Sequence, residues 1–225
     1  MQIVPAILTD KKDVLEKMIR QCEKFCRLVQ IDIMDGKFVP TMSISPFDLA
    51  EISTSINMEI HLMVENPLPL IKPFKDAGAR RIIFHFESKD EPWEVIREIR
   101  AHNLDAGIAI NPKTAVKDIE DFLLSIDQVL IMTVTPGYYG SPFLPEMMAK
   151  ITELKRRKGK FLVSVDGGIK MENILIIKNS GVDSACVGSG IFRGNPEENY
   201  KKLLEKISRQ GFTCPKMNPA PPKKN

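Results

Sequence analysis

The sequence Gln30-Ile31-Asp32-Ile33-Met34-Asp35-Gly36 is a short apolar stretch that contains two carboxylates, a methionine and a terminal glycine. Residues 28–33 predict a buried strand, and an Asp at the end of such a strand is held rigidly at the mouth of a sheet. An isolated Asp-x-x-Asp-Gly is more often a turn or a cap than a functional site, because Asp hydrogen-bonds nearby backbone. The roles of Asp32 and Asp35 therefore depend on what the rest of the chain places beside them.

The same pattern, an apolar strand followed by an amphipathic helix, occurs eight times along the chain. Thr9-Asp10 is a predicted N-cap of the first helix, and Gly78 a predicted C-cap of the third. The predicted strands are 3–8, 29–33, 58–63, 81–86, 106–110, 128–132, 161–165 and 184–187, and the predicted helices are 11–26, 46–52, 67–77, 91–101, 116–124, 145–157, 171–179 and 196–210. Eight such units favour an α/β fold, a (β/α)8 TIM barrel, over an open doubly wound sheet, which would carry a glycine fingerprint after strand one.

Composition is that of a globular protein, with 225 residues, 43% hydrophobic and 27% charged. We expect a single barrel domain over 1–212 and a disordered C-terminal tail over 213–225, which is rich in Pro and Lys. The formal charge of +3 is nearly balanced and predicts no nucleic-acid partner. No apolar run could span a bilayer, and the four cysteines lack metal-finger spacing, so we expect free thiols, no membrane partner and a cytoplasmic protein.

The predicted strands end in polar or sulfur-containing side chains, and in this barrel the chemistry sits at those ends. They are Gln30, Asp32 and Met34 on strand two, His61 and Met63 on strand three, His85 and Glu87 on strand four, Met132 on strand six and Asp166 on strand seven. Each histidine alone is more typical of a satisfied core residue. Two carboxylates and a histidine at one mouth need a compensating cation, and their donor atoms suit zinc, iron, manganese or cobalt.

Glycines follow three successive strands, in Thr135-Pro136-Gly137-Tyr138-Tyr139-Gly140, Asp166-Gly167-Gly168-Ile169 and Val187-Gly188-Ser189-Gly190. A single glycine of this kind is as easily a plain turn. Glycines in these loops expose backbone N–H groups, and the loops after strands seven and eight are the usual phosphate site of this barrel. The three together predict a bound phosphate.

The chain resembles the ribulose-phosphate 3-epimerase family from Ile3 to about Gln210. The matching stretches are 31–40 (Ile-Asp-Ile-Met-Asp-Gly-Lys-Phe-Val-Pro), His61-Leu62-Met63, His85-Phe86-Glu87, Pro136-Gly137-Tyr138, 165–169 (Val-Asp-Gly-Gly-Ile) and Gly188-Ser189. The resemblance implies a TIM barrel of the ribulose-phosphate binding type. It also implies interconversion of D-ribulose 5-phosphate and D-xylulose 5-phosphate through a metal-stabilised enediolate, with a small-molecule sugar phosphate as partner.

By that resemblance Asp32 and Asp166 are the acid/base pair, and one divalent cation is bound. Asp35, next to Gly36, is predicted from the local sequence to be a structural or turn residue. The implied metal ligands are Asp32, His61, Asp166 and, in place of a family histidine, Gln30. The implied substrate-binding residues are His61, Met34, Met63, Met132, Gly137, Tyr138, Tyr139, Gly140, Gly167, Gly168, Gly188 and Ser189. Family members commonly form dimers or hexamers, so we expect a homo-oligomer.

Three positions depart from the family pattern. Ala6 stands where the family has a serine that meets substrate, and Tyr139 stands where it usually has a second glycine. Gln30 replaces the first metal-binding histidine, and its amide oxygen is a poorer ligand for zinc but acceptable to harder cations such as magnesium. Three functions stay open: the pentulose-phosphate epimerase, an epimerase of another ketose phosphate such as allulose 6-phosphate, and a non-catalytic sugar-phosphate-binding barrel.

Overall fold

Eight parallel strands form a closed barrel in a computed structural model that describes residues 1–136, 142–157 and 159–209. Each strand pairs with the next along the chain, and the eighth pairs with the first. The strands are β1 Gln2–Ile7, β2 Leu28–Met34, β3 Asn57–Met63, β4 Ala79–His85, β5 Asp105–Ile110, β6 Gln128–Met132, β7 Leu162–Asp166 and β8 Ser184–Val187. The predicted (β/α)8 barrel is confirmed.

Helices follow every strand and cover the outside of the barrel. The α-helices are α1 Lys12–Cys22, α2 Pro46–Ala50, α3 Leu68–Asp76, α4 Pro92–Ala101, α5 Met148–Leu154, α6 Ile174–Asn179, α7 Ser189–Phe192 and α8 Pro196–Arg209. Two 3-10 helices, Val116–Phe122 and Pro145–Met147, complete the set. No helix of the described part of the chain is long and apolar enough to cross a membrane.

The strands divide their side chains between two cores, because successive residues point to opposite faces. The outward residues, such as Ile31 and Ile60, pack under the helices in one large cluster. The inward residues fill the barrel with a smaller apolar cluster, and its members are Val4, Ala6, Ile83, Ala109, Leu130, Met132, Val134 and Cys186. An inward residue at the C-terminal end of a strand therefore emerges at the barrel mouth.

The predicted helix over 116–124 is wrong in type, because the segment is a 3-10 helix. Its buried residues Val116, Ile119 and Phe122 recur every three positions. That spacing matches the 3.0 residues per turn of a 3-10 helix better than the 3.6 of an α-helix. The predicted helix over 145–157 likewise begins with one 3-10 turn at Pro145 and ends at Leu154.

Two caps and one helix also bear on the predictions. The N-cap of α1 is Lys11, which makes no side-chain cap, so the cap predicted at Thr9-Asp10 is wrong. Thr9 Oγ1 instead accepts a hydrogen bond from Lys11 N at 3.2 Å. Gly78 follows α3 with φ +92°, as a C-cap glycine should. The short helix α7 begins at Ser189, within a segment for which only a glycine loop was predicted.

Candidate active site

Three side chains that could bind a metal ion meet at the C-terminal mouth of the barrel: Asp32 from β2, His61 from β3 and Asp166 from β7. Asp32 and His61 are paired residues in the register of β2 and β3, so both point inward at the same height. His61 Nδ1 lies 3.1 Å from Asp32 Oδ1 and 3.5 Å from Asp166 Oδ2. One ligand atom from each residue lies within 4.8 Å of the others, which is close enough for a single ion to touch all three.

Burial and hydrogen bonds within the cluster both shift the pKa values of its groups. Asp32 and Asp166 are each 8% exposed, and His61 is fully buried. Burial and the charge of Asp166 raise the pKa of Asp32, although His61 and Gln30 oppose the rise. Burial alone would lower the pKa of His61, but hydrogen bonds to Asp166 and Asp32 outweigh it and raise the pKa to about 9. Without a cation, the cluster is therefore an imidazolium between two carboxyl groups at neutral pH.

Gln30 joins the cluster from one layer lower on β2. Its Nε2 donates to Asp32 Oδ1 at 2.8 Å and to Asp166 Oδ2 at 2.6 Å, so one amide group links the two carboxylates. Its Oε1 is buried and has no hydrogen-bond partner among the described residues. The replacement of the family histidine thus leaves a side chain that reaches the same cluster.

A second histidine supports the first. His61 Nε2 lies 3.0 Å from His85 Nε2, and His85 Nδ1 lies 3.1 Å from Glu87 Oε2. Burial and the neighbouring His61 lower the pKa of His85 to about 4, so His85 is neutral at neutral pH. Since Glu87 only accepts, His85 carries its proton on Nδ1, and its Nε2 accepts from His61. This arrangement turns Nδ1 of His61 toward the carboxylates.

Glu87 is itself fixed from the next loop. Its Oε1 accepts from the backbone N of Asn111 at 2.8 Å and from Thr114 Oγ1. Burial opposes ionisation of Glu87, but His85 and Thr114 outweigh it and lower the pKa of the carboxyl group. The chain of contacts therefore runs from the barrel mouth through two imidazoles to an ionised carboxylate.

The residues present fit a divalent cation. One oxygen from each of the two carboxylates and one imidazole nitrogen are oriented inward. The Oε1 atom of Gln30, which has no partner among the described residues, is a fourth donor atom and the third oxygen. Turning the Gln30 amide about its last bond would exchange that oxygen with the nitrogen that faces Asp32 and Asp166. A set of three oxygens and one nitrogen suits manganese, magnesium, iron, cobalt or zinc.

The cluster opens into a cavity at the barrel mouth. Asp32 and Asp166 line it together with the three predicted methionines, Met34, Met63 and Met132. Met34 and Met63 also pack with Val39 and Phe38 from the loop after β2. Thr41 of that loop also lines the cavity.

Glycine loops form the other side of the cavity. Gly167, Gly168, Gly188 and Ser189 line it, as do the cationic residues Lys170 and Arg193. Gly167 has φ +114°, and a Cβ atom there would lie 2.5 Å from Val134 Cγ2. The backbone after β7 therefore needs glycine for both its dihedral angle and its close packing. The predicted binding residues Gly137, Tyr138, Tyr139 and Gly140 lie outside the described residues.

Asp35 does not belong to the cluster. Its Oδ1 accepts from the backbone N of Lys37 and of Phe38, each at 2.9 Å, and its Oδ2 accepts from Glu65 N at 2.8 Å. Asp35 is thus a turn residue that ties the loop after β2 to the loop after β3.

Sequence reasoning noted His85 and Glu87 at the end of strand four but gave them no role in the site. Glu87 lies in the turn two residues after His85, the last residue of β4, and its carboxylate contacts His85. The contact of His85 with His61 depends on the stagger of β3 against β4, in which His61 pairs with Ile83 and not with His85. Lys170 and Arg193 were also missed, because a cationic residue in a loop has no distinguishing sequence pattern.

A closed barrel with an Asp–His–Asp cluster at its C-terminal mouth is typical of a TIM-barrel enzyme, and these three side chains could hold a metal ion. Comparison with known proteins makes the class more specific. Residues 2–192 match the model of the ribulose-phosphate 3-epimerase family. The chain belongs to that family, and the predicted enzyme class, an isomerase, is confirmed with it.

Curated relatives span nearly the whole chain. The ribulose-phosphate 3-epimerase of Chlamydia muridarum is 33% identical over 90% of this chain and 92% of its own length. The enzyme of the same name from Bacillus subtilis is 33% identical over 92% of this chain and 97% of its own. The ribulose-phosphate 3-epimerase of Schizosaccharomyces pombe is 30% identical over 95% of this chain and 97% of its own length.

Solved structures at lower identity share the fold. KGPDC from Streptococcus mutans, solved in complex with D-R5P, superposes with a TM-score of 0.76 at 13% identity, over 92% of this chain and 97% of that one. The 3-hexulose-6-phosphate synthase of Salmonella typhimurium superposes with a TM-score of 0.72 at 15% identity, over 93% of this chain and 99% of that one. These structures confirm the TIM barrel.

Proposed function

We propose that this protein inverts carbon 3 of D-ribulose 5-phosphate to give D-xylulose 5-phosphate, with Asp32 and Asp166 as the proton-transfer pair. One observation carries the proposal: two carboxyl groups from β2 and β7 reach the same point in the cavity, where one Gln30 amide nitrogen contacts both. The names of the curated relatives support the substrate.

Inversion at one carbon requires two groups in opposite protonation states. One carboxylate takes the carbon 3 proton, and the electron pair of the C–H bond moves into the enediolate of carbons 2 and 3. The second group, protonated at the start, returns its proton to the opposite face, so the two groups exchange states in each turnover. The raised pKa of Asp32 suits this pair, because it brings the protonated carboxyl closer to neutral pH.

Asp32, His61, Asp166 and Gln30 would hold the divalent cation, whose identity among zinc, iron, manganese, cobalt and magnesium stays open. The bound cation would offset the negative charge that develops on the oxygens of carbons 2 and 3. His85 and Glu87 keep His61 Nδ1 turned toward that position. Met34, Met63 and Met132 line the cavity with apolar sulfur and methyl groups, which exclude water from the reacting carbons.

The phosphate group of the substrate would lie at the glycine side of the cavity. Gly167, Gly168, Gly188 and Ser189 line that side and can present backbone N–H groups to phosphate oxygens. Lys170 and Arg193 add positive charge there. Gly137, Tyr138, Tyr139 and Gly140 are proposed as further phosphate-loop residues on the family resemblance alone.

A substrate panel tests this function. The metal-stripped protein is incubated with ribulose 5-phosphate or allulose 6-phosphate, with manganese, zinc, iron, cobalt or magnesium added singly, and products are separated by ion-exchange chromatography. We expect xylulose 5-phosphate from the pentulose. Product from the hexulose alone would assign the second function, which Ala6 favours because the family's serine hydroxyl is missing from the cavity wall. Binding of both sugars without turnover would assign a non-catalytic barrel.

We also infer a homo-oligomer, a dimer or a hexamer, from the family resemblance, and a cytoplasmic location from cysteine spacing that fits free thiols in a reducing compartment. The domain boundary at 212 and the disordered tail over 213–225 stay predictions, since both lie outside the described residues.

A further inference from the structure

Gln30 has a buried side-chain amide whose nitrogen donates two hydrogen bonds and whose oxygen accepts none from the described residues. Its Nε2 donates to both Asp32 and Asp166, at 2.8 Å and 2.6 Å. Its Oε1 has no partner among the described residues, although the side chain is fully buried. A buried amide oxygen without a donor is unfavourable, so this arrangement requires a reason.

The reason lies in the groups that the amide faces. Ionised carboxylates only accept hydrogen bonds, and the two hydrogens of Nε2 match the two carboxylate oxygens. With the amide reversed, Oε1 would stand at hydrogen-bond distance from two negatively charged oxygens and would repel both. A cation between these groups inverts the preference, because it attracts the amide oxygen and repels the NH2 group.

We propose that the Gln30 side-chain amide has two orientations, one for the cation-free site and one for the cation-bound site, and that the change between them lowers the cation affinity. Without a cation, Nε2 bridges Asp32 and Asp166 and holds them together. When a divalent cation binds to Asp32, His61 and Asp166, the amide turns and Oε1 becomes the fourth ligand. This inference rests on the metal site of the proposed function.

The two states have a consequence for affinity. The incoming cation must break the two charge-assisted hydrogen bonds from Gln30 Nε2 to Asp32 and Asp166, and this lowers the cation affinity. A histidine at this position has no NH2 group and could not make both bonds from one nitrogen. An amide oxygen is also a harder ligand than an imidazole nitrogen. The site should therefore bind divalent cations reversibly. Its affinity for magnesium or manganese, relative to its affinity for zinc, should be higher than in a Gln30→His variant.

Side-chain amide NMR tests the turn directly. The chain contains five glutamines, so a sample labelled with 15N-glutamine gives few NH2 signals. Gln128 is a matched internal control, since it is a buried glutamine of the same barrel whose Oε1 accepts from Arg81. On titration of the metal-stripped protein with MgCl2, we expect the Gln30 NH2 pair to shift with loss of its carboxylate hydrogen bonds and the Gln128 pair to stay.

The ring signals of His61 separate the two ways in which the proposal can fail. If the His61 ring signals respond to magnesium or zinc and the Gln30 pair does not, the two-state proposal is overturned and the metal site stands. If neither responds to either cation, the metal site and the two-state proposal both fall. Movement of both with Gln128 unchanged supports the proposal.

Thermal unfolding of Gln30→Glu gives a second, independent readout. In EDTA this variant places a third carboxylate against Asp32 and Asp166 with no NH2 donor, so its Tm should fall by more than about 5 °C. Manganese should raise its Tm by more than it raises that of the wild type, because the glutamate offers an anionic ligand. A Gln30→Glu Tm in EDTA equal to that of the wild type would contradict the bridging role of Nε2.

Discussion

His61 has different partners on its two ring nitrogens. Nδ1 faces Asp32 and Asp166, and Nε2 faces His85. Because His85 is held neutral by burial, it can accept from His61 Nε2 whether or not a cation occupies the Nδ1 side. At the scale of single residues, the orientation of His61 therefore depends on His85, a side chain outside the Asp–His–Asp cluster.

His85→Leu tests this support. The change removes the acceptor for His61 Nε2, so we expect divalent cation affinity to fall by about 10- to 100-fold, as for other lost partners of metal-bound histidines. Isothermal titration with manganese measures the affinity. His102→Leu is the control, because His102 pairs with Glu98 at the surface of α4, and it should leave the affinity unchanged. Equal manganese affinities for His85→Leu and His102→Leu would show that His85 does not support cation binding by His61.

Asp35→Asn tests the turn residue through stability. The three backbone N–H donors lower the pKa of Asp35 even though partial burial opposes this, so the ionised form stabilises the fold. We expect the variant to lose about 1–3 kcal/mol of unfolding free energy at pH 7, since an amide cannot satisfy all three donors. Because the folded-state pKa is lowered, the loss should persist above the unfolded pKa of about 4 and shrink as pH falls through the folded value.

Urea denaturation between pH 2.5 and pH 7 measures the difference between Asp35→Asn and the wild type. Asp10→Asn, at an exposed position ahead of α1, is the control and should change stability little at any pH. A loss that stays constant over the whole range would show that the charge of Asp35 contributes nothing.

At the scale of elements, the loop after β7 needs a backbone conformation that few residues adopt. Gly167 and Gly168 both have positive φ, and both approach Val134 of the β6 loop closely. Successive strand ends are thereby packed together at the glycine side of the cavity. The shape of this side depends on the absence of a Cβ atom at Gly167 and Gly168.

Gly167→Ala should therefore damage the proposed phosphate side of the cavity. The added Cβ would lie 2.5 Å from Val134 Cγ2, so the loop must move. We expect KM for the sugar phosphate to rise by about 10-fold or more, with displacement worth at least 1.4 kcal/mol of binding. Steady-state kinetics measures the change. Gly181→Ala is a matched control, because Gly181 also has positive φ but has open space around its Cβ position.

Equal KM values for Gly167→Ala and Gly181→Ala would mean that the clash with Val134 does not shape the phosphate site. A fall in Tm for both variants is expected from the backbone conformation alone.

The same scale shows where sequence-based prediction succeeds. The alternation of apolar strands and amphipathic helices predicts the eight units, and the polar residues at the strand ends predict that Asp32, His61 and Asp166 meet at the barrel mouth. The sequence predicts an α-helix for Val116–Phe122, which is a 3-10 helix. Over so short a segment, apolar residues three positions apart occur in both types of helix. The His61–His85 contact could not be predicted, since it depends on strand stagger.

At the scale of the whole molecule, a polar network closes the lower part of the barrel, away from the mouth. Arg81 on β4 donates to Glu59 Oε2 on β3 at 3.1 Å, to Gln128 Oε1 on β6 at 2.6 Å and to Asp105 Oδ2 on β5 at 3.0 Å. Glu59 is almost completely buried, and burial raises its pKa against the opposing charge of Arg81. Four consecutive strands are thus joined by one guanidinium group.

Arg81→Met should destabilise the barrel by about 3–5 kcal/mol, because it leaves Glu59 buried without its partner. The double variant Arg81→Met with Glu59→Gln should recover part of the loss, since it removes the unpaired charge. Guanidinium chloride denaturation measures both. Arg97→Met, which removes an exposed arginine of α4, is the control and should cost less than about 0.5 kcal/mol. A double variant less stable than Arg81→Met would contradict the pairing argument.

The proton-transfer pair is the centre of the proposed function, and hydrogen exchange at carbon 3 tests it most directly. Ribulose 5-phosphate is incubated in heavy water with the protein and manganese, and the carbon 3 hydrogen is followed by mass spectrometry. We predict deuterium at carbon 3 of both pentulose phosphates with the wild type. Asp166→Asn and Asp32→Asn should each abolish xylulose 5-phosphate formation. Full epimerisation by either variant, or a wild type that exchanges no hydrogen with any of the five cations, would contradict the assignment.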